Sequence, residues 1–441
     1  MSMTFQYAPA VASLTDQPSP VARLRGFLNP ASLTARQKKV LVLLAFASLP
    51  AAFTNTVFTQ TVAYASDEFR ISAQGQGFAA AIVRWGVIIA LPCAALADRV
   101  GRRRMIVVTI WIAPLITALG ALSPNFEFLV ATQAIGRPLG LALNIFIIVF
   151  ATEEMSNDTR AFALSVIAIA AGFGGGTAVA AIPLAGMSLT SWRYIYAIGV
   201  VWVIVAVVIT RHLPETQRFQ SLHERSLDPT LHDDPAVHAH IVPRRLILQM
   251  TVAVLVNLFI AAASVFQIRY LKDVRGYSAS LVSLFVMSTT SPAFIGLLIG
   301  GRIADRRGRK TLAAITTPLG AALIVVSFSV HGAAMWVASL VGAISFALAY
   351  PAMSVFRSEL FPTAHRNIAS AFITTASLVG GSIGLIVCGT LINRGVSYGT
   401  VMAGLALGPA LVSILVLVMY PETAHRELEE LNPEDELLQR D

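Results

Sequence analysis

Asp98-Arg99-Val100-Gly101-Arg102-Arg103 recurs 207 residues later as Asp305-Arg306-Arg307-Gly308-Arg309-Lys310. Each copy is a charged turn between two apolar runs. Two further marks share that spacing. Pro214-Glu215-Thr216 returns as Pro421-Glu422-Thr423, offset by 207, and Glu153 with Arg160 returns as Glu359 with Arg366, offset by 206. Three separate marks at nearly one offset indicate that the chain is one unit written twice in the same direction.

Working outward from the repeat, the chain divides into apolar stretches of about 20 residues, the length that crosses a roughly 30 Å hydrocarbon layer. Twelve spans are predicted: 38–64, 75–97, 104–123, 126–150, 161–186 and 193–211 in the first half, then 245–270, 279–303, 311–330, 334–356, 367–392 and 399–420. The fold class is therefore an all-α membrane protein of twelve transmembrane helices in two pseudo-symmetric six-helix bundles. Its parts are a tail at 1–37, a bundle at 38–211, a polar linker at 212–244, a second bundle at 245–420 and a tail at 421–441. With 56% hydrophobic and 13% charged residues the composition is far from that of a soluble domain. No cleavable leader is read in residues 1–36. Cys93 and Cys388 lie far apart in apolar runs and read as small buried hydrophobes, not as a disulfide.

Lys and Arg set the topology. With the N-terminus in the cytoplasm, 24 of the 32 fall on the cytoplasmic side, six fall outside or at the outer edge, and two, Arg84 and Arg137, lie deep within spans. A multi-pass protein of the plasma or bacterial inner membrane is expected, with both ends cytoplasmic. The net charge of +8 belongs to short loops, so nucleic acid is excluded as a partner.

The repeated turn resembles the signature of the major facilitator superfamily, Gly-x-x-x-Asp-Arg-x-Gly-Arg-Arg/Lys. Gly301 to Lys310 matches it throughout, and the first copy matches from Asp98 on, with Ala94 in the place of the first glycine. Ile135-Gly136-Arg137-Pro138-Leu139-Gly140 matches the family's intramembrane arginine. Glu359-Leu360-Phe361-Pro362-Thr363 with Arg366, and Pro421-Glu422-Thr423, resemble its metabolite, aromatic-acid and sugar symporter branch. The resemblance covers about 38–430. It implies a secondary transporter and no enzyme, with proton symport as the coupling.

The turns carry candidate gates. A carboxylate at Asp98 or Asp305 can pair with the arginines beside it, and such a network holds one access state and breaks in the other. Asp98, Arg99, Gly101, Arg102, Asp305, Arg306, Gly308 and Arg309 form the expected gate. Glu153 with Arg160, and Glu359 with Arg366, are its expected latches.

The expected binding site centres on Arg137. It lies about 16 Å deep at roughly 1.5 Å per residue, and a charge there is costly and marks function. Gln133 and Asn144, four before and seven after, share its helical face. Arg84, about 12 Å deep, is expected beside it. Asn55 and Thr59 represent an uncharged polar track in the first span. Asn257, Ser288, Ser291, Tyr350, Thr374 and Thr375 are weaker candidates in the second half. Gly172, Gly174, Gly175 and Gly176 read as helix packing.

No carboxylate lies deep in a predicted span, so the site would hold positive charge and no negative one. Uncompensated buried charge is expensive, and an anion relieves it. The expected cargo is a small organic anion, a carboxylate or an aromatic acid. Protons are the expected coupling ion, carried by the substrate's own carboxyl, by Glu127 or by Asp67. The alternatives are a sugar or multidrug transporter of the same family, or a non-transporting sensor or scaffold. The other expected partner is the lipid bilayer. No cofactor or metal motif is present in the sequence, and a monomer is expected.

Overall fold

The computed structural model describes residues 33–86, 101–155, 157–215, 243–361 and 366–422. The first half contains α1 (Ala35–Glu68), α2 (Ala73–Trp85), α3 (Arg102–Ala118, continued by a 3-10 turn at Leu119–Leu122), α4 (Phe126–Glu154) and α5 (Asn157–Ala180). A short Ile182–Ala185 turn follows. Then comes α6, built of Trp192–Ala197, a 3-10 stretch Ile198–Trp202, and Val203–His212. The second half contains α7 (Pro243–Arg269, ending in a π turn at Tyr270–Val274), α8 (Ala279–Thr290 and Ala293–Arg307), α9 (Arg309–Ser327), α10 (Ala333–Glu359), α11 (Arg366–Asn393) and α12 (Tyr398–Met419). Among the described residues eleven helices are long and apolar enough to cross a membrane. The remaining predicted span, 75–97, begins in α2, and its residues 87–97 lie outside the described residues.

Local chemistry sets the helix ends. Thr34 and Gln37 form a reciprocal capping box at the start of α1. Ser72, Asn125, Ser278 and Ser397 each accept a backbone N–H at the start of α2, α4, α8 and α12. Pro292 lacks an N–H and divides α8 in two. Within each half, glycines let helices touch backbone to backbone, and one such pair is related by the repeat. A Cβ at Gly174 would stand 2.2 Å from Leu49 O on α1, and one at Gly380 would stand 2.3 Å from Val254 O on α7. The two positions are 206 apart, so the duplication extends to the packing.

The chain segments that end at Leu33, Glu215, Pro243 and Glu422 share one face, here the near face; the opposite one is the far face. The buried core shows how the halves meet. One cluster draws on both: Phe53, Phe58 and Trp192 from the first half sit with Phe259, Phe266 and Leu385 from the second. It occupies the far side. Toward the near face it gives way to two separate clusters, one made only of residues 33–213 and the other only of 252–420. The halves are therefore joined on the far side and parted on the near side.

Polar contacts say the same. Lys272 at the end of α7 pairs with Asp67 at the end of α1 and donates to Ala63 O at 3.3 Å. Arg269 donates to Gln76 Oε1 at 2.9 Å, and the fully buried Gln76 donates to Val265 O at 3.4 Å. Ser283 Oγ on α8 donates to Val179 O on α5 at 2.8 Å. The helix ends corrected one expectation here. α1 runs to Glu68, so Asp67 and Glu68 are in its last turn and not beyond it. Both are engaged, Asp67 with Lys272 and Glu68 with Arg193 and Trp192.

Candidate functional site: a near-open cavity backed by Arg84

A cavity of about 1360 Å³ lies between the halves. Its walls run from Gln249 and Ser354, toward the near face, to Gln60 and Val286, where the joined far side closes it. The body of the cavity is apolar and aromatic, with Phe173, Phe294, Phe346 and Tyr350 among its walls. A few uncharged polar groups converge on it: Thr56 and Gln60 from α1, Asn257 from α7 and Ser291 from the break in α8. No Asp, Glu, Lys, Arg or His is among the described residues that line it.

The expected site residues stand around this cavity in different ways. Arg84 comes nearest. Its Nη2 donates to Asn257 Oδ1 at 3.1 Å, across the gap between α2 and α7. Its guanidinium lies on Gly381 of α11, where a Cβ would stand 2.7 Å from Nε. Nε itself is buried and has no partner among the described residues. Arg84 thus sits one side chain behind the wall, reaching the cavity through Asn257.

Arg137 is carried by α4, in the first half. Gly86, two residues past Arg84, would place a Cβ 2.1 Å from Ala134 O on α4, so α2 and α4 are in backbone contact at this level. Arg137 Nε is buried without a partner, as are Thr54 Oγ1, Asn55 Oδ1 and Gln60 Oε1 on α1. Buried polar atoms are normally satisfied. Unsatisfied polar atoms on α1, α2 and α4 mark this half as built to meet a polar ligand or to rearrange.

The rest of the expected stripe parts company. Gln133 is fully buried and turned toward α3, donating to Thr117 O and Thr132 Oγ1, each at 3.2 Å. The helical face argument put it beside Arg137, but four residues advance a helix by 400°, and those 40° suffice to point it at a different neighbour. Asn144 is half-buried on α4 and is not a wall of the cavity. On α1 it is Thr56 and Gln60 that line the cavity, while Asn55 and Thr59 stand a step around the helix. Of the weaker candidates, Asn257, Ser291 and Tyr350 line it. Ser288, Thr374 and Thr375 instead return their hydroxyls to carbonyls of their own helices, at 3.2, 2.8 and 3.0 Å. Among the helix 5 glycines, Gly174 is packing as expected, but Gly172 and Gly176 have open space before them and form cavity wall.

The near-face turns hold a second, symmetric device. Gly101 and Gly308 adopt φ of 105° and 97°, a region that glycine alone enters freely, and this turn starts α3 and α9 without a side-chain cap of its own. The caps come from the repeated Pro-Glu-Thr. Glu215 accepts the N–H of Arg103 at 3.0 Å. Glu422 accepts those of Arg309 and Lys310 at 3.0 and 3.2 Å. A carboxylate at a helix N-terminus satisfies orphan donors and meets the positive end of the dipole. Sequence reading found this motif as a repeat and gave it no role. Arg102 pairs with Glu153 at 3.0 Å, and Arg36 with Glu154 at 2.6 Å, both inside the first half. Arg306 is exposed. Asp98 and Arg99, and the side chains of Asp305, Arg160, Glu359 and Arg366, lie outside the described residues. Replacing Glu422 with Ala removes two caps at once and is expected to cost about 1–2 kcal/mol. A lower unfolding temperature in detergent, matched by Glu215→Ala, is the check.

This geometry, two similar bundles around a central cavity closed on one side and open on the other, defines an alternating-access transporter. The family model of the Major Facilitator Superfamily matches residues 44–385 and 250–437, and the chain belongs to that superfamily. Its members are transporters and not enzymes. The fold is similar to that of the inward-open xylose transporter XylE from E. coli, with a TM-score of 0.71 at 17% identity over 90% of this chain and 99% of that one. It is also similar to a bacterial homolog of the human lysosomal transporter Spinster, with 0.67 at 16% identity over 88% and 95%. The nucleoside transporter NupG gives 0.68 at 14% identity over 87% and 100%. No curated protein matches the chain in sequence.

Proposed function

We propose that the protein carries a small organic anion with an apolar or aromatic body across the cell membrane, coupled to protons. It acts as a monomer, with its near face in the cytoplasm. One observation carries this reading. One guanidinium, that of Arg84, stands behind the cavity wall on Asn257, with an Nε that is buried and has no partner among the described residues, and no carboxylate among those residues lines the space. An anionic group entering at Asn257 gives Arg84 its counter-charge, and the aromatic walls take the body of the molecule. The Lys and Arg bias supports the orientation. A D-xylose–proton symporter among the similar structures supports proton coupling.

A second reading has its own support. The wall itself is uncharged, and XylE and NupG carry xylose and nucleosides by name. A neutral polar substrate would hydrogen-bond to Gln60 and Asn257 with both arginines structural.

Ligand-dependent thermal unfolding separates the two. Aromatic and aliphatic carboxylates, xylose and nucleosides are screened against wild type, Arg84→Gln and Arg137→Gln. A ligand at 100 times its dissociation constant adds about 2.7 kcal/mol to the native state. Stabilisation by carboxylates alone, lost in both variants, is the expected result. Stabilisation by xylose or nucleosides, undiminished in the variants, overturns it.

A further inference from the structure

A second cavity, of about 530 Å³, lies on the near face apart from the transport path. It is a groove between the first turn of α1 and the end of α6. Arg36 and Lys39 stand on one side, Arg211 and His212 on the other, and no carboxylate is among its walls. Arg36 is already paired with Glu154 and also donates to Glu215 O at 3.1 Å. Lys39 and Arg211 have neither an ion pair nor a side-chain hydrogen bond among the described residues, and His212 contacts only Val208 O at 3.0 Å. Two cations with no partner among the described residues, and an imidazole, therefore converge on one hollow at the level of a membrane surface.

What lies along the same helix faces, toward the middle of the bilayer, narrows the ligand. Val42 and Phe46 follow Lys39 at spacings of three and seven, on its face of α1, and are 53% and 50% exposed. Ile204 and Val208 precede Arg211 and His212 on α6 and are 67% and 38% exposed. Each wall is thus a basic rim over an uncovered apolar strip. A free anion requires only the rim, whereas a molecule with a charged head and a hydrocarbon chain uses both. Basic pockets between helices on the cytoplasmic side are suited to anionic headgroups.

We infer that this groove binds an anionic phospholipid of the near-face leaflet. The phosphate sits among Lys39, Arg211 and His212, and an acyl chain lies on one of the apolar strips. The site is independent of the substrate reading above.

The test uses the purified full chain, delipidated in detergent, with native mass spectrometry and thermal unfolding as readouts. The probes are phosphatidylglycerol, phosphatidylcholine of the same acyl chains, and inorganic phosphate. Phosphatidylglycerol is expected to stay bound and raise the unfolding temperature, while phosphatidylcholine and phosphate do neither. In Lys39→Gln/Arg211→Gln its affinity should fall about thirtyfold, the effect of removing two cations beside an anionic head. Equal stabilisation by phosphate would make this a site for a soluble anion and overturn the lipid assignment. Equal binding of phosphatidylcholine, or undiminished binding in the double variant, would also overturn it. The comparison of probes in wild type stands on its own should the double variant fail to fold.

Discussion

Placing valine at both Gly77 and Gly389 is expected to abolish transport and turn the cavity toward the far face. Gly77 on α2 and Gly389 on α11 are the points where the halves touch backbone to backbone. A Cβ on Gly77 would stand 2.4 Å from Leu385 O, and one on Gly389 would stand 2.4 Å from Ala73 O. No rotamer relieves a clash with a carbonyl, so the helices must separate. Overpacking of this kind costs typically about 1–3 kcal/mol per site. Here the cost falls only on the far-closed state, because each glycine meets the other half and not its own. Two sites at about 2 kcal/mol each move the equilibrium by roughly a thousandfold. Each half keeps its own core, so the variant folds. The measurement is labelling of a single Gln60→Cys thiol, in a Cys93→Ser/Cys388→Ser background, by an impermeant reagent from either side. Wild type labels from the near side. The double variant should label from the far side and show no uptake. Gly404→Val, at a glycine with open space around it, is the inert control. Near-side labelling with normal uptake in the double variant would mean that this contact does not set the state.

The contrast between Gly77 and Arg137 shows which features the sequence displays. Composition, the run of apolar spans and the duplicated turn are repeated over hundreds of residues, and the fold follows from them without knowledge of any single contact. Arg137 was legible for a related reason, since a charge at that depth needs an explanation wherever its side chain points. The far-side joint was not legible. Gly77 is one of 30 glycines, and Gln76 is an ordinary glutamine until Arg269, almost two hundred residues away, is seen beside it. Contacts between the halves leave no periodic trace. Helical phase was the other limit. Reading a face at the resolution of three or four residues placed Gln133 with Arg137 and chose Asn55 and Thr59 over Thr56 and Gln60. Each error is a rotation of about 100° or less. The glutamates at 215 and 422 show an intermediate case. The repeat made them visible, but their task as caps appears only when the chain after α6 and α12 is seen to return to the start of α3 and α9.

The bond between Arg84 and Asn257 links charge to motion, and changing Asn257 to Asp is expected to break that link. In the present state Arg84, from the first half, donates to a carboxamide of the second half at 3.1 Å. The amide is a weak substitute for a carboxylate, since it offers the guanidinium a neutral acceptor and no counter-charge. On the proposed reading a substrate anion outcompetes Asn257 for the guanidinium, and in doing so releases one tie between α2 and α7. Aspartate at 257 keeps the shape and supplies a permanent counter-charge. At about 4 Å and an effective dielectric of about 20 the pair gains roughly 4 kcal/mol. Desolvating the new carboxylate offsets part of this, and half of the gain would still be about thirtyfold in competition with substrate. Three results are expected together: uptake reduced thirtyfold or more, loss of stabilisation by carboxylates, and an unfolding temperature no lower than wild type. A variant that merely disturbed packing would lose stability and activity together. Undiminished uptake in Asn257→Asp would show that Arg84 braces the interface and takes no part in binding. Arg137 would then be the intramembrane cation left, among the described residues, to meet an anionic substrate.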